Sequence, residues 1–300
     1  MKTLLYHVYL IALLAFAPLH CFAWDNEGHE TVVAVALKLD PSLRERLTAI
    51  LKDLPNSPQW IELKQSELIP HNRYQTDKGD VDGWIAAATA DPVKAATFPD
   101  WARDYNDYIA NKFNLYHFYD SDYDDVTDPR YVQNPNALKV LPGFEQDLKG
   151  KTGGDRAWAL TWVLHLVGDL HQPLHCCSKA SPRNPKKSDE GGNLFKYEDS
   201  ELHSFWDALP KKQYDADQDE YVSSLVSIAK TLPQTQTDDL DLTHWVNEAH
   251  DLITGIGYPA SQKRDNAYDA KAHQIADKQL ALAGARLAKL LEQYLPPAGN

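Results

Sequence analysis

The sequence predicts an all-α protein built as one mostly helical domain. Apolar residues recur at spacings of three and four through most of the chain, clear alternating strands are absent, and no internal repeat divides it. The composition, 43% hydrophobic and 24% charged, is that of an ordinary globular protein. The length is sufficient for a core that holds the fold without a disulfide framework.

Start and stop signals define the principal helices. Asp40-Pro41 provides a cap and a first-turn proline, and Pro173 ends the helix that begins after Thr152-Gly153-Gly154. The predicted helices cover 29–39, 42–51, 156–172 and 270–295, with a short strand at 194–197. Three polar or proline-rich segments are predicted as loops: 56–76, 119–135 and 178–192.

The first 23 residues are typical of a secretory signal. Lys2 gives a positive start, the apolar run 8–17 is too short to span a bilayer, and Pro18 ends it. Cleavage after Ala23 would leave 24–300 as a single mature domain. A lipoprotein anchor on Cys21 is the weaker alternative. We therefore expect export to the periplasm or medium of a bacterium, without a membrane anchor.

Charge and cysteine content narrow the function classes. A net charge of −13 argues against a protein that coats duplex DNA through a basic surface, although bound metal ions can still attract phosphate. One segment within 178–192 is rich in cations. We expect it to be a solvated loop and not one that follows a phosphate backbone; its cations are Lys179, Arg183, Lys186 and Lys187. Adjacent Cys176 and Cys177 leave four possibilities open: a vicinal disulfide, free thiols, an intermolecular link or metal ligation.

Two histidine–aspartate pairs indicate a metal centre. His165 and Asp169 are four residues apart on a predicted helix, so their side chains share one face and can bind one ion. His203 and Asp207 repeat this spacing, and His175 lies past Pro173, where it can point back. One such pair is easily fortuitous, whereas two pairs and a third histidine favour a metal site.

Further candidates lie upstream. His117 stands among aromatic residues and is either a metal ligand or a packed core histidine. Asp100 follows a proline and is either a metal ligand or a helix N-cap. Trp24 would be the first residue after cleavage. Its amino group, with a pKa of about 8, can bind a metal that competes with the proton.

These residues occur in one order with several neighbours: Trp24, Gly28-His29, Pro99-Asp100-Trp-Ala-Arg103, His117-Phe118, His165-x-x-x-Asp169-x-His171-Gln-Pro-Leu-His175, Gly191-Gly192-Asn193 and Leu202-His203-x-x-Trp206-Asp207. The combined pattern closely resembles the zinc-dependent single-strand nucleases and 3′-nucleotidases of the mung bean nuclease type. The resemblance spans essentially the whole mature chain. It implies a mostly helical domain with three Zn²⁺ ions at the bottom of a cleft.

The resemblance also implies a ligand set. The first Zn²⁺ would be held by Asp100, His117, His165 and Asp169; the second by the amino group and carbonyl of Trp24, His29 and Asp169; the third by His175, His203 and Asp207. Asp169 would thus bridge two ions. His171 is not a ligand position in the family, and we expect it to have a structural role beside the ligands.

The resemblance further implies substrate contacts. Arg103 would contact a phosphate oxygen and Asp120 would orient Arg103, with a surface salt bridge as the alternative. The nucleobase pocket would comprise Phe118 and the Gly191-Gly192-Asn193 turn, and we add Tyr197 as a further candidate. Because such a pocket takes one unstacked base, we expect a preference for single strands of either RNA or DNA.

The expected function is that of an exported endonuclease with 3′-nucleotidase activity. It would hydrolyse RNA and single-stranded DNA, and duplex DNA more slowly, to 5′-phosphate products, as a hydroxide shared by two ions attacks phosphorus. No obligate protein partner is evident. One alternative is a zinc-dependent phospholipase C, whose last pair ends in glutamate where this chain has Asp207. The other is a non-catalytic zinc-binding protein, which would not need Arg103, Asp120 or Phe118.

Overall fold

Helices dominate the structure and confirm the all-α prediction. The computed structural model describes residues 24–65, 81–100, 117, 121–122, 135–181 and 184–295. Its helices are α1 Asn26–Leu39, α2 Leu43–Leu51, α3 Pro58–Gln65, α4 Val81–Ala90, α5 Pro92–Ala95, α6 Ala137–Gly150, α7 Gly153–Asp169, α8 Leu202–Asp207, α9 Lys211–Ala216, α10 Gln218–Thr231, α11 Gln234–Thr237, α12 Leu242–Ile256 and α13 Asn266–Tyr294. Tighter 3₁₀ turns cover Leu54–Asn56 and Pro173–His175.

Helix α7 lies at the centre of the core. Every residue from Ala157 to Asp169 is buried, as expected for a helix whose apolar residues occupy all of its faces. It packs against α1, α2, α6 and α13. Consequently, the histidine and carboxylate at its carboxyl end are placed in the interior and not at the surface.

Helices α1 and α13 pack closely at Gly284. A Cβ atom at this position would lie 2.4 Å from Cγ1 of Val35 and 3.0 Å from the carbonyl oxygen of Val32. Glycine is therefore required for this approach of the two helices. The contact holds α1, which carries His29, against the helix that closes the chain.

A buried arginine connects α13 to the segment after α7. Nη1 of Arg286 lies 3.0 Å from Nε2 of His171 and 2.7 Å from Oε2 of Glu248. His171 Nδ1 lies 2.7 Å from the carbonyl oxygen of Val167, so the neutral ring can donate there and accept from Arg286. Burial and the guanidinium hold the pKa of His171 well below its usual value. These contacts support the structural role predicted for His171.

The strands correct one loop prediction. β1 Ser121–Asp122 pairs in parallel with β2 Cys177–Ser178, β3 Ala180–Ser181 pairs antiparallel with β4 Asn184–Ser188, and β5 Lys196–Tyr197 pairs antiparallel with β6 Ser200–Glu201. The prediction of a loop over 178–192 is thus wrong for the β3–β4 hairpin, because prolines and lysines hide the strand pattern. β5 lies within the strand predicted at 194–197.

The other two loop predictions have different outcomes. The prediction for 56–76 is wrong over α3, because Pro58 occupies the first helical position and Ser57 Oγ accepts from the Trp60 amide at 3.1 Å. The remainder of that segment, 66–76, lies outside the described residues. Within 119–135, only 121–122 and 135 are described, and the first two form β1.

A buried carboxyl group fixes the base of the β3–β4 hairpin. Oδ1 of Asp189 accepts hydrogen bonds from the amides of Lys179 at 3.0 Å and Gly192 at 3.2 Å. Ser178 Oγ accepts from the Gly191 amide at 2.7 Å and lies 2.8 Å from Ser188 Oγ. We call Ser178, Ser188 and Asp189 the hairpin neck. The neck joins the hairpin to the Gly191-Gly192-Asn193 turn.

Cys176 and Cys177 are both fully buried as thiols, and Cys176 Sγ lies 3.6 Å from the carbonyl oxygen of Leu170.

None of the helices among the described residues has both the length and the apolar character that crossing a bilayer requires.

Replacing Gly284 with alanine should destabilise the fold by about 1–3 kcal/mol, since a new methyl group would overlap Val35. Gly255→Ala is the matched control: a Cβ there meets no atom within 4 Å, and alanine should stabilise α12 by up to ~1 kcal/mol. Urea unfolding of both variants measures the difference. Equal stabilities would contradict the close packing of α1 and α13.

Replacing Asp189 with asparagine should change how stability depends on pH. Burial raises the pKa of Asp189 to about 6, despite the hydrogen bonds from Gly192 and Lys179. The pKa of Asp189 is thus higher in the folded than in the unfolded protein. The contribution of the protonated carboxyl group to folding stability is therefore complete below pH ~4 and is lost as the pH rises through about 6. Asparagine stays neutral and keeps an acceptor oxygen.

The stability of Asp189→Asn relative to the wild type should therefore increase between pH 4 and pH 7. The expected gain is up to ~3 kcal/mol, at ~1.4 kcal/mol for each pH unit between the two pKa values. Urea unfolding in the presence of a chelator measures it, because the metal ligands then contribute equally to both proteins. A difference that stays constant over this range would show that Asp189 is not destabilised by ionisation.

Candidate metal centre

The two histidine–aspartate pairs converge in the interior. His165 Nε2 lies 3.3 Å from Asp169 Oδ2 at the end of α7, and His203 Nε2 lies 3.5 Å from Asp207 Oδ2 on α8. Both pairs have the i,i+4 spacing predicted from the sequence. Because Leu170 and the 3₁₀ turn follow α7 directly, His175 is brought back toward the same region.

The first ligand group contains the four residues that the resemblance assigns to one ion. His165 Nε2 lies 2.8 Å from His117 Nδ1 and 3.9 Å from Asp100 Oδ1. His117 Nδ1 lies 3.2 Å from Asp169 Oδ2. All four side chains are buried. Residues about 70 apart in sequence thus bring their donor atoms together.

The second group is centred on His29. Its Nε2 lies 3.4 Å from Asp169 Oδ1, and its ring stacks on His165 with centroids 3.7 Å apart. Trp24 is buried beside it and donates from Nε1 to the carbonyl oxygen of Gly168 at 3.0 Å. The third member that the structure places with His29 and Asp169 is His165, whereas the resemblance assigns the amino group of Trp24. In the uncleaved chain, that nitrogen belongs to a peptide bond.

The third group comprises His175, His203 and Asp207. The two Nε2 atoms are 3.2 Å apart, and His175 Nε2 lies 3.9 Å from Asp207 Oδ1. Asp207 Oδ1 also accepts from Gln172 Nε2 at 2.6 Å. The sequence pattern did not predict a role for Gln172, although its position between the candidate ligands Asp169 and His175 is a signal that could have indicated one.

The carboxylate of Asp169 connects the first two groups and lies close to the third. Oδ2 faces His165 and His117, while Oδ1 lies 3.4 Å from His29 and 3.7 Å from His175. Each oxygen is therefore directed at different imidazoles. This is the arrangement that a carboxylate bridging two ions requires.

Backbone carbonyl groups orient three of the histidines. His165 Nδ1 lies 2.8 Å from the oxygen of Ala96, His175 Nδ1 lies 3.0 Å from that of His117, and His203 Nδ1 lies 2.8 Å from that of Gly191. Donation from Nδ1 leaves the lone pair of a neutral ring on Nε2, which faces the centre. Such outer contacts fix metal-binding histidines in both tautomer and orientation.

Burial places these carboxylates in an unfavourable environment for negative charge. The pKa of Asp207 is well above its usual value because of burial and then the Asp25 carboxylate, with Gln172 opposing. Burial alone would lower the pKa of His165, but Asp169 and Asp100 outweigh this and raise it. A multivalent cation among these groups would relieve the repulsion among the carboxylates.

The donor set fits Zn²⁺. Two atoms bound to one zinc by bonds of about 2.0–2.2 Å lie at most about 4.4 Å apart, and the separations above meet this limit. Imidazole nitrogen and carboxylate oxygen are both usual zinc ligands. Oδ2 of Asp207 accepts no hydrogen bond from the described residues although it is buried. A cation would satisfy this oxygen.

The predicted substrate residues have different placements. Arg103, Phe118 and Asp120 lie outside the described residues. Gly191 and Gly192 have φ values of 61° and 87°, so the turn adopts the left-handed backbone that glycine permits.

The other two pocket candidates are buried. Asn193 donates from Nδ2 to the carbonyl oxygen of Glu190 at 2.7 Å. Tyr197 is 1% exposed, packs on Phe205 and Tyr268, and donates to Asp269 Oδ1 at 2.7 Å. Its ring is thus enclosed by core residues and does not present an open face for a base.

Comparisons with known proteins show the family to which the chain belongs. The family model described as S1/P1 Nuclease matches residues 24–296. The protein named Nuclease S1 from Aspergillus oryzae (strain ATCC 42149 / RIB 40) is 24% identical over 320 aligned positions, which cover 94% of this chain and 94% of that protein. Since the family match extends from Trp24 through every candidate ligand, the chain belongs to the S1/P1 nuclease family and is a nuclease.

Proposed function

We propose that this nuclease, once residues 1–23 are removed, is an exported zinc-dependent endonuclease. Its substrates would be RNA and single-stranded DNA, cleaved to 5′-phosphate products, and it would also remove 3′-phosphates from nucleotides. The observation that carries the proposal is the Asp169 carboxylate, whose two oxygens face different imidazoles in a buried centre. The family match supports the nuclease part of the proposal.

The three ligand groups would hold three Zn²⁺ ions: Asp100, His117, His165 and Asp169; Trp24, His29 and Asp169; His175, His203 and Asp207. Bound zinc would supply Lewis acidity that activates water and stabilises the negative charge developing on a phosphate.

The residues of the chain set the geometry for this chemistry. Asp169 fixes the relative positions of the first two groups, and the carbonyl groups of Ala96 and Gly191 keep the imidazoles turned inward. Three Zn²⁺ with three aspartates leave the centre cationic although the chain carries −13. A locally positive centre in an acidic protein attracts phosphodiesters.

The position of the Gly191-Gly192-Asn193 turn supports a single-stranded substrate. The Gly191 carbonyl group accepts from His203, so the turn lies one hydrogen bond from the third ligand group. A base held at this turn would be adjacent to the reacting phosphate, and this is possible only when the base is unstacked. Phe118, Arg103 and Asp120 remain predicted substrate contacts.

Membership in a nuclease family favours this function over a phospholipase C and over a non-catalytic zinc protein. The family match beginning at Trp24 supports the predicted cleavage after Ala23, and export remains part of the proposal.

Replacing Asp169 with asparagine should reduce hydrolysis of RNA at least ~100-fold and lower the zinc content, because a neutral amide is a poor bridge between cations. Asp219→Asn is the matched control, since this residue is exposed on α10. Metal analysis and RNA cleavage by the two folded variants test the proposal. Full activity of Asp169→Asn would reject the bridged centre.

Residues left before Trp24 should also impair the enzyme. A chain that begins at Phe22 keeps the Trp24 nitrogen in a peptide bond, so we expect a loss of about one zinc equivalent and ~10–100-fold slower RNA cleavage. A mature chain with two residues added after Asn300 controls for the added length. Mature rates from the chain beginning at Phe22 would show that the amino group is not a ligand.

A further inference from the structure

Gln172 is a buried side chain that contacts the third ligand group from outside. It lies between α7 and the 3₁₀ turn that carries His175, and it is fully buried. Its Nε2 donates to Oδ1 of Asp207 at 2.6 Å. We propose that Gln172 is a positioning residue for the third metal ion, because its amide group binds one oxygen of Asp207 and leaves the other, Oδ2, for the cation. This inference rests on the proposed function, which assigns a Zn²⁺ ion to this group.

The hydrogen bonds of Gln172 fix the orientation of its amide group. Oε1 accepts from the backbone amide of Leu174 at 2.5 Å. A backbone amide can only donate, so the side-chain oxygen must face Leu174 and the NH₂ group must face Asp207. Gln172 therefore offers Asp207 a donor, and not an acceptor that would repel a carboxylate.

The two oxygens of Asp207 have different surroundings. Oδ1 accepts from Gln172 and lies 3.9 Å from Nε2 of His175. Oδ2 lies 3.5 Å from Nε2 of His203 and accepts no hydrogen bond within the described part of the chain, although it is buried. A buried oxygen without a donor is unfavourable unless a cation binds it. The donor at Oδ1 therefore directs a cation to Oδ2.

Gln172 also connects Asp207 to the turn that carries His175. Its side chain caps this turn at Leu174, and its carbonyl group accepts from the amide of His175 at 2.9 Å. Pro173 favours the extended backbone that Gln172 adopts, with ψ of 116°. Asp207, 35 residues further along the chain, is thus connected through one side chain to the backbone that positions His175.

Outer hydrogen bonds of this kind affect metal affinity. A carboxylate that binds a metal is usually itself hydrogen-bonded, and loss of such a contact lowers the affinity by about 10–100-fold. Among the described residues, the side chain of Gln172 makes its two hydrogen bonds to Leu174 and Asp207. We therefore expect its loss to affect the third ion and not the other two.

A buried glutamine can instead serve packing alone, and Gln279 on α13 provides the comparison. It is 2% exposed, and its Nε2 donates to the backbone carbonyl group of His171 at 3.3 Å. Its side chain fills core volume and satisfies a carbonyl group of the backbone. Gln279→Met is the matched control for Gln172→Met, because both variants exchange a buried amide for an apolar side chain of similar length.

Zinc binding by the chain that begins at Trp24 tests the inference. The number of bound Zn²⁺ ions and their dissociation constants are measured by competition with a chelator of known affinity. Urea unfolding of the metal-free proteins confirms that each variant folds. We expect three ions in the wild type and in Gln279→Met. In Gln172→Met, two ions should bind as tightly as in the wild type and the third about 10–100-fold more weakly.

A second measurement needs no variant. In crystals of the zinc-loaded wild type, the ion among His175, His203 and Asp207 should contact Oδ2 of Asp207. Oδ1 should remain about 3 Å from Nε2 of Gln172, within hydrogen-bond distance. An ion bound through Oδ1 would overturn the inference, even if Gln172→Met failed to fold.

The outcomes separate the two proposals. If the wild type binds three ions and Gln172→Met binds them as tightly as the control, Gln172 is a packing residue and the inference is wrong. Equal weakening of the third ion in both variants, or weakening of all three ions in Gln172→Met, would overturn it as well, because a general disturbance of the core would then explain the loss. If the wild type binds no ion at the third group, that part of the proposed function fails and this inference fails with it.

Discussion

The buried carboxylate of Asp169 is the constraint on which the candidate site depends. It lies at the end of α7, with imidazoles at 3.2–3.7 Å around its two oxygens. A charged group in this position is unfavourable unless it is paired or bound to a cation, because burial removes its hydration. The fold therefore brings imidazoles from distant parts of the chain to one carboxylate, and the centre that we propose, with more than one metal ion, would satisfy them.

The placement of α7 explains how this carboxylate is held. The helix is enclosed by apolar contacts, and His171, which follows its carboxyl end, is in turn held by Arg286. The close approach of α1 and α13 at Gly284 places His29 opposite α7. Packing of core helices thus contributes to the placement of the candidate ligands.

Much of this arrangement could be predicted from the sequence, because helices carry local signals. The i,i+4 spacing placed His165 with Asp169 and His203 with Asp207, and capping and proline signals located the helices that hold them. The β3–β4 hairpin could not be predicted, since its base is held by hydrogen bonds that Asp189 and Ser178 accept from the amides of Lys179 and Gly191, and not by an apolar alternation. Tyr197 was assigned to a pocket from its position near the glycine turn, but its contacts with Phe205 and Asp269 are set by tertiary packing. The carbonyl groups that orient the histidines are likewise invisible in the sequence, because every residue has one.

X-ray diffraction from crystals of the mature protein, recorded on both sides of the zinc absorption edge, tests the central claim most directly. The account predicts three anomalous peaks, two of them in contact with the oxygens of Asp169 and one of these two also bound by the Trp24 amino group. A single peak, or peaks that do not contact Asp169, would contradict it.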